Sequence, residues 1–309
     1  MNGDLDLSGI GHHPPPDSPL MGLAIALLAL YLAGAISLWV RGRHWSVGRT
    51  IWFTAGTFAL LVLVTSGAET YSRDLLSVFM FEQLTLMIAI PPLLVLGSPG
   101  TLLLRATPHR GPGRLILSAA IGALRSRPAR WLLHPALTIP LFLISYYGLY
   151  LGTAAETLLR MPAGHALLEL LFLGAGLLFA IPILSGDPLP HLQGHLASVV
   201  DVFLEMGLHA FFGVIVMMSA TLLVPSFADS TRALGVDPLA DQRIAGGLAW
   251  GYGEGPTVLI LIYVMHRWFR DDTRRAARRD RDVDQHGDAE LDAYNQYLAR
   301  IGRRGSSGE

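Results

Sequence analysis

The chain has 309 residues, 51% of them hydrophobic and only 15% charged, with a mean hydropathy of +0.44. A soluble domain carries about a quarter charged residues, so this composition excludes one and indicates an integral membrane protein. The formal net charge is −1, and all 23 basic residues are Arg; the absence of Cys excludes disulfides and thiolate metal sites, and the absence of Lys excludes a retinal Schiff base.

Residues 1–19 are expected to form an extracytoplasmic N-terminal tail. It holds Asp4, Asp6 and Asp17 but no Arg. A signal peptide needs a basic start, so the apolar run that follows is predicted to be a retained first helix. A hydrocarbon core of ~30 Å takes about 20 apolar residues to cross. Seven stretches meet this within a membrane domain of residues 20–269: Leu20–Val40, Thr50–Ser66, Ser77–Gly97, Leu132–Gly152, His165–Leu184, Val199–Val224 and Ile244–Phe269. The pair Pro91–Pro92 is expected to break or kink the third. Between the third and fourth, Arg114–Arg125 is too short to span and is predicted to lie along the interface. Five glycines around Glu254 in the seventh let a neighbouring helix approach or the backbone open. Residues 270–309 form a charged tail whose early part is expected to extend the last helix into water.

Arginine placement orients this all-α polytopic bundle. Alternate crossings put Arg41, Arg43, Arg49, the six arginines from Arg105 to Arg130 and the ten from Arg267 onward on one side. The other side keeps Arg73, Arg160, Arg232 and Arg243. Basic residues favour the cytoplasmic side, so the N-terminus is expected outside and the C-terminus inside.

An ionisable side chain at bilayer depth costs roughly 2.5–3.5 kcal/mol on the insertion scale, so each one asks for a reason. Glu82, Glu169, Asp201, Glu205, His209 and Glu254 fall at such depth. Glu205 and His209 share a helix face at i, i+4, while His165 lies one turn before Glu169 at the outer mouth. Glu205, His209 and Glu254 are expected to form one interior polar cluster, with Glu82 and Glu169 above it. The candidate metal ligands are His209, Glu205, Glu254, Glu82, Glu169, His165 and Met80: imidazole and thioether suit copper, carboxylates suit harder ions. A buried Glu can equally be protonated and hydrogen-bonded to a neighbouring helix, fixing only the packing.

Four runs carry a resemblance: PPLLVLGSPGTLLLRA (Pro91–Ala106), MGLHAFFGVIVM (Met206–Met217), DQRIAGGLAWGYGEGPTVL (Asp241–Leu259) and the DAELDAYNQYLARI tail. Together they resemble the CtaG family of cytochrome c oxidase assembly factors, most closely the CtaG-type half of actinobacterial proteins often fused behind a CopD-like copper-handling domain. The resemblance implies a seven-helix plasma-membrane protein linked to copper and to oxidase maturation, with oxidase subunits and the bilayer as partners and no nucleic acid. His209 matches a family histidine and Glu254 a family glutamate. The family's H-M-x-Q-H run reads Phe79-Met80-Phe81-Glu82-Gln83 here, so the third-helix histidine pair is missing. That loss weakens Cu(I) binding and fits a paralogue.

The leading expectation is a non-enzymatic metallochaperone or assembly factor that helps to load copper into the oxidase. The alternatives are a carboxylate-lined proton or metal transporter and a metal-inert scaffold. No H-E-x-x-H, G-x-S-x-G or Cys nucleophile is present to support an enzyme.

Overall fold

The computed structural model describes residues 19–189, 194–286, 293–295, 297–299 and 301. The N-terminal tail up to residue 18 lies outside them, as do residues 287–292 and 302–309 of the charged tail. All regular structure among the described residues is helical. The chain divides into two compact units, Met1–Ile262 and Tyr263–Glu309.

The first unit opens with α1 (Pro19–Val40) and α2 (Val47–Thr65), two long apolar helices. A short α3 (Gly67–Tyr71) leads to α4 (Leu76–Leu84), a π turn (Thr85–Ala89), α5 (Ile90–Leu96) and α6 (Pro99–Ala106). Three helices follow: α7 (Pro112–Arg125), α8 (Arg127–Leu132) and α9 (Pro135–Leu143), the last running into a second π turn (Ile144–Gly148). Then come α10 (Ala154–Leu159), α11 (Gly164–Leu184), α12 (His195–Met218), α13 (Ala228–Ala233), α14 (Pro238–Gly251) and α15 (Glu254–His286), which continues through the second unit.

Six helical stretches among the described residues are long and apolar enough to cross a membrane, so the chain is a multi-pass membrane protein. Their outer faces expose Leu30, Phe211 and Leu259, as lipid-facing surfaces do. The fourth expected span is shorter than foreseen. Residues 135–150 are helical, about 24 Å at 1.5 Å each, less than the ~30 Å core. Pro91 and Pro92 do not break the third helix. The helix runs on through them, with the π turn just before the pair taking up the irregularity, and the chain departs from helix only at Gly97–Ser98, where the φ of Ser98 is +51°. The seventh is interrupted at Tyr252–Gly253, between α14 and α15.

The loops sort to two ends of the bundle. At one, Arg43 Nη1 donates to the Arg105 carbonyl at 2.9 Å, and Arg49 and Arg105 lie over the Trp45 ring. Asp187 at the same end accepts from the Gly100 and Thr101 amides at 3.0 and 2.7 Å. At the opposite end, Ser230 and Thr231 hydroxyls donate to the Asp74 carbonyl, and the Ser226 amide donates to Glu156. Arg73, Arg160 and Arg232 at that end each pair with an acid on their own turn: Glu69, Glu156 and Asp229.

Helices α12 and α14 touch through glycine. A Cβ built on Gly213 would stand 2.5 Å from the Trp250 amide nitrogen, and one on Gly246 would stand 2.4 Å from that of Met217. Small residues allow such backbone approach, and dispersion across the contact holds helices together where lipid gives no hydrophobic drive. Gly246→Ala should therefore cost about 1–3 kcal/mol by overpacking against backbone. Thermal unfolding in detergent should show a lower midpoint for Gly246→Ala and none for Gly247→Ala, whose added methyl meets open space.

Candidate functional site

Four ionisable side chains meet at the end opposite the arginine-rich loops. Glu69 stands on α3, Glu82 on α4, and His165 and Glu169 one turn apart on α11. The three carboxylates are each 1% exposed and His165 is 9% exposed. His165 Nε2 lies 3.3 Å from Glu82 Oε2, 3.2 Å from Glu169 Oε1 and 3.2 Å from Ser72 Oγ. One ring nitrogen cannot satisfy all three. Glu69 Oε2, both oxygens of Glu82, Glu169 Oε1 and His165 Nδ1 are buried without a hydrogen-bond partner. Arg73 Nη2 donates to Glu69 Oε1 at 3.2 Å, the one Arg in the group. Burial pushes the Glu69 carboxyl above its usual range, and the neighbouring Glu169 pushes the same way. Phe79, one turn before Glu82, places its ring 5.5 Å from His165 and within 6 Å of Phe172 and Phe227, which walls the cluster on that side with aromatic carbon.

A second polar site lies on α12. Glu205 and His209, one turn apart, are both buried. Thr257 of α15 donates its hydroxyl to Glu205 Oε2 at 3.4 Å. The His209 ring packs on the interruption between α14 and α15, where a Cβ on Gly253 would fall 1.9 Å from Cε1. Only glycine fits there. The Tyr146 ring lies against the imidazole in a tilted arrangement, with ring centroids 5.0 Å apart. Glu205 Oε1, His209 Nε2 and Tyr146 Oη have no hydrogen-bond partner.

Of the seven expected ligands, Glu82, His165 and Glu169 are brought together. Glu205 and His209 share the second site. Glu254 is half-buried at the start of α15, with no hydrogen bond or ion pair to either site. Met80 is fully buried but sits two residues before Glu82, on a different face of α4. Phe79 and Gln83 stand where the resemblance places histidines. Gln83 instead donates to the Ser145 carbonyl at 3.1 Å and accepts from Tyr150 Oη.

Sequence reasoning missed Glu69 and Asp241. Glu69 follows the second span on a short interhelical turn, outside any stretch long enough to draw notice; its signal was a lone acid in the apolar-to-apolar link Ser66–Tyr71. Asp241 is 2% exposed on α14 and accepts from the Leu76 amide at 2.7 Å, the Ser77 amide at 3.3 Å and the Ser77 hydroxyl. It thereby serves the free N–H groups at the start of α4 from another helix.

Residues 29–271 match the family described as "Cytochrome c oxidase caa3 assembly factor". An uncharacterized protein of Mycobacterium bovis is 36% identical over 289 residues, covering 92% of this chain and 44% of the relative. Uncharacterized proteins of Mycobacterium tuberculosis, 36% identical over 92% of this chain and 44% of the relative, and of Mycobacterium leprae, 35% identical over 93% and 44%, are similar to it in the same way. The chain thus spans less than half the length of the curated relatives it matches. No solved structure matches it.

Because Asp241 fixes the start of the helix that carries Glu82, removing its carboxylate should loosen the site's frame. A hydrogen bond contributes roughly 0.5–1.5 kcal/mol net, so loss of the three in Asp241→Ala should lower the unfolding free energy by about 2–4 kcal/mol. Asp241→Asn, which keeps an acceptor, should lose less. Unfolding midpoints of the purified variants in one detergent give the comparison, and an unchanged Asp241→Ala midpoint would remove this clamp from the account.

Proposed function

We infer the function of this chain from one premise: it belongs to the cytochrome c oxidase caa3 assembly factor family. The reading is a non-enzymatic, plasma-membrane factor that holds subunits of cytochrome c oxidase while the enzyme is built. Seven crossings with the N-terminus outside and the C-terminus in the cytoplasm complete it, the short helix of residues 135–150 counting as the fourth. The observation that carries the reading is the family match, which runs from the first span into α15. The sorting of nineteen arginines to one side supports the orientation.

Carrying copper as cargo would require Cu(I) ligands on this chain. Cu(I) favours thiolate, thioether and imidazole donors. The chain has no Cys, Phe79 and Gln83 replace the expected imidazoles, and His209 has Tyr146 and Gly253 against its ring. The four-residue cluster offers three carboxylates and one imidazole. These donors do not fit Cu(I). The copper connection lies at the level of the oxidase under assembly, not of Cu(I) ligation by this chain. The buried acids Glu69, Glu82, Glu169 and Glu205 favour a carboxylate-lined transporter as the second reading.

Deleting the chain in its source cell should lower assembled oxidase several-fold, read as haem a absorbance and oxygen consumption with reduced cytochrome c. Added copper should not restore it; re-expression should. Normal oxidase in the deletion strain would end the assembly reading, rescue by copper alone would return it to copper delivery, and cation flux in sealed vesicles would favour the transporter. A reporter fused after Glu309 should work only if it is of a type active in the cytoplasm. Activity from a reporter that functions only outside would reverse the orientation.

A further inference from the structure

Family membership assigns no ligand to the cluster of Glu69, Glu82, His165 and Glu169, and the assembly reading makes no use of it. We propose that these four residues bind one divalent transition cation of the Zn²⁺ or Mn²⁺ class, and not Cu(I). The inference stands on geometry and charge, independently of the oxidase reading.

One ligand atom from each residue can be chosen so that all four lie within 4.8 Å of one another. Donors on a common sphere of about 2.1 Å radius stand at most ~4.2 Å apart, so small side-chain movements close the group onto an ion. The second observation is the set of unpaired atoms. Glu82 is 1% exposed and neither of its oxygens has a hydrogen bond, yet Oε2 is aimed at His165 from 3.3 Å. Glu69 Oε2 and Glu169 Oε1 are orphaned beside it. Folded proteins leave few buried polar atoms unsatisfied, and a concentration of them at one point marks a place for an ion or ordered water.

Charge selects the ion. With all three carboxyls ionised, as ligation of a cation requires, they carry −3, and the Arg73 guanidinium paired with Glu69 returns +1. With His165 neutral, as a ligand must be, −2 remains for a divalent cation to cancel. Ionised carboxylates taken out of water cost several kcal/mol each unless a countercharge is placed among them. Three oxygens and one imidazole nitrogen then favour Zn²⁺ or Mn²⁺ over soft Cu(I). Mg²⁺ is disfavoured because it keeps its waters and prefers oxygen alone. His165, the least buried of the four, lies on the side by which an ion enters.

The test uses the full chain purified in detergent, stripped with a chelator, incubated with Zn²⁺, Mn²⁺ or, under reducing conditions, Cu(I), then desalted and assayed for metal by mass spectrometry. Wild-type protein should retain about one equivalent and unfold at a higher temperature with metal than without. Glu82→Gln and Glu169→Gln should each weaken binding at least ~10-fold, since even indirect partners of a metal site cost that much. Both remove an unpaired buried charge, so they should fold at least as well as metal-free wild type and lose only the metal-induced stabilisation. His209→Ala, in the second polar site, should keep the metal. Retention of neither Zn²⁺ nor Mn²⁺ by wild type, preferential retention of Cu(I), or full binding by both Glu→Gln variants would overturn the proposal. None of these results bears on whether deletion of the chain impairs the oxidase.

Discussion

In a bilayer, water cannot complete the hydrogen bonds of a backbone, so each amide and carbonyl at depth must be satisfied from within the chain. The irregular points of this bundle show how that constraint is met. Where α5 gives way to α6, Tyr31 of α1 donates its hydroxyl to the Gly97 carbonyl at 2.8 Å, and Asp187 takes up the Gly100 and Thr101 amides. At the start of α4, Asp241 does the same from α14. Hydroxyls of Thr57, Thr85 and Ser145 fold back onto carbonyls three or four residues earlier. Each interruption is tied to a distant helix, so the breaks that weaken single helices also lock them to one another.

The same constraint applies more severely to ionisable side chains, and the two polar sites meet it differently. Glu205 and His209 are screened by neighbours that pack on them: Thr257, the Tyr146 ring and the bare backbone at Gly253. The outer cluster is walled by aromatic rings on one side, yet its acids are turned toward one another. Its carboxylates face one another with a single guanidinium and a single imidazole among them. Packing accounts for the first arrangement. The second gathers three carboxyls and one imidazole at one point and leaves several of their buried atoms without a hydrogen-bond partner.

These sites also separate what the family brings from what this chain does with it. The family match concerns the whole bundle from the first span to α15. At the third-helix run, Phe79 has become part of the aromatic wall beside His165, and Gln83 bridges Tyr150 and the Ser145 carbonyl. Glu82, on the same helix, turns into the acidic cluster. This stretch thus supplies the outer site with a carboxylate, a donor harder than copper chemistry calls for.

Composition and the spacing of apolar runs were enough to establish a multi-pass helical protein, because lipid exposure acts on every residue of a span and leaves its mark in one dimension. Arginine asymmetry was equally local, and the individual acids Glu82, Glu169 and Glu205 stood out against apolar neighbours. The runs around Asp241–Leu259 and Met206–Met217 were enough for the family. Pairing was not legible. Nothing in the linear pattern says that Glu69, on a five-residue helix outside any span, meets Glu169 a hundred residues later, or that His209 packs on Gly253. Nor does it reveal that Pro91–Pro92 is absorbed by a π turn, or that the fourth apolar run yields a helix of only about 24 Å. Those outcomes depend on helix rotation and depth, which are set when faces such as Gly213 and Gly246 find each other. Rotation about a helix axis is a property of the packed bundle, and only the tertiary structure decides it.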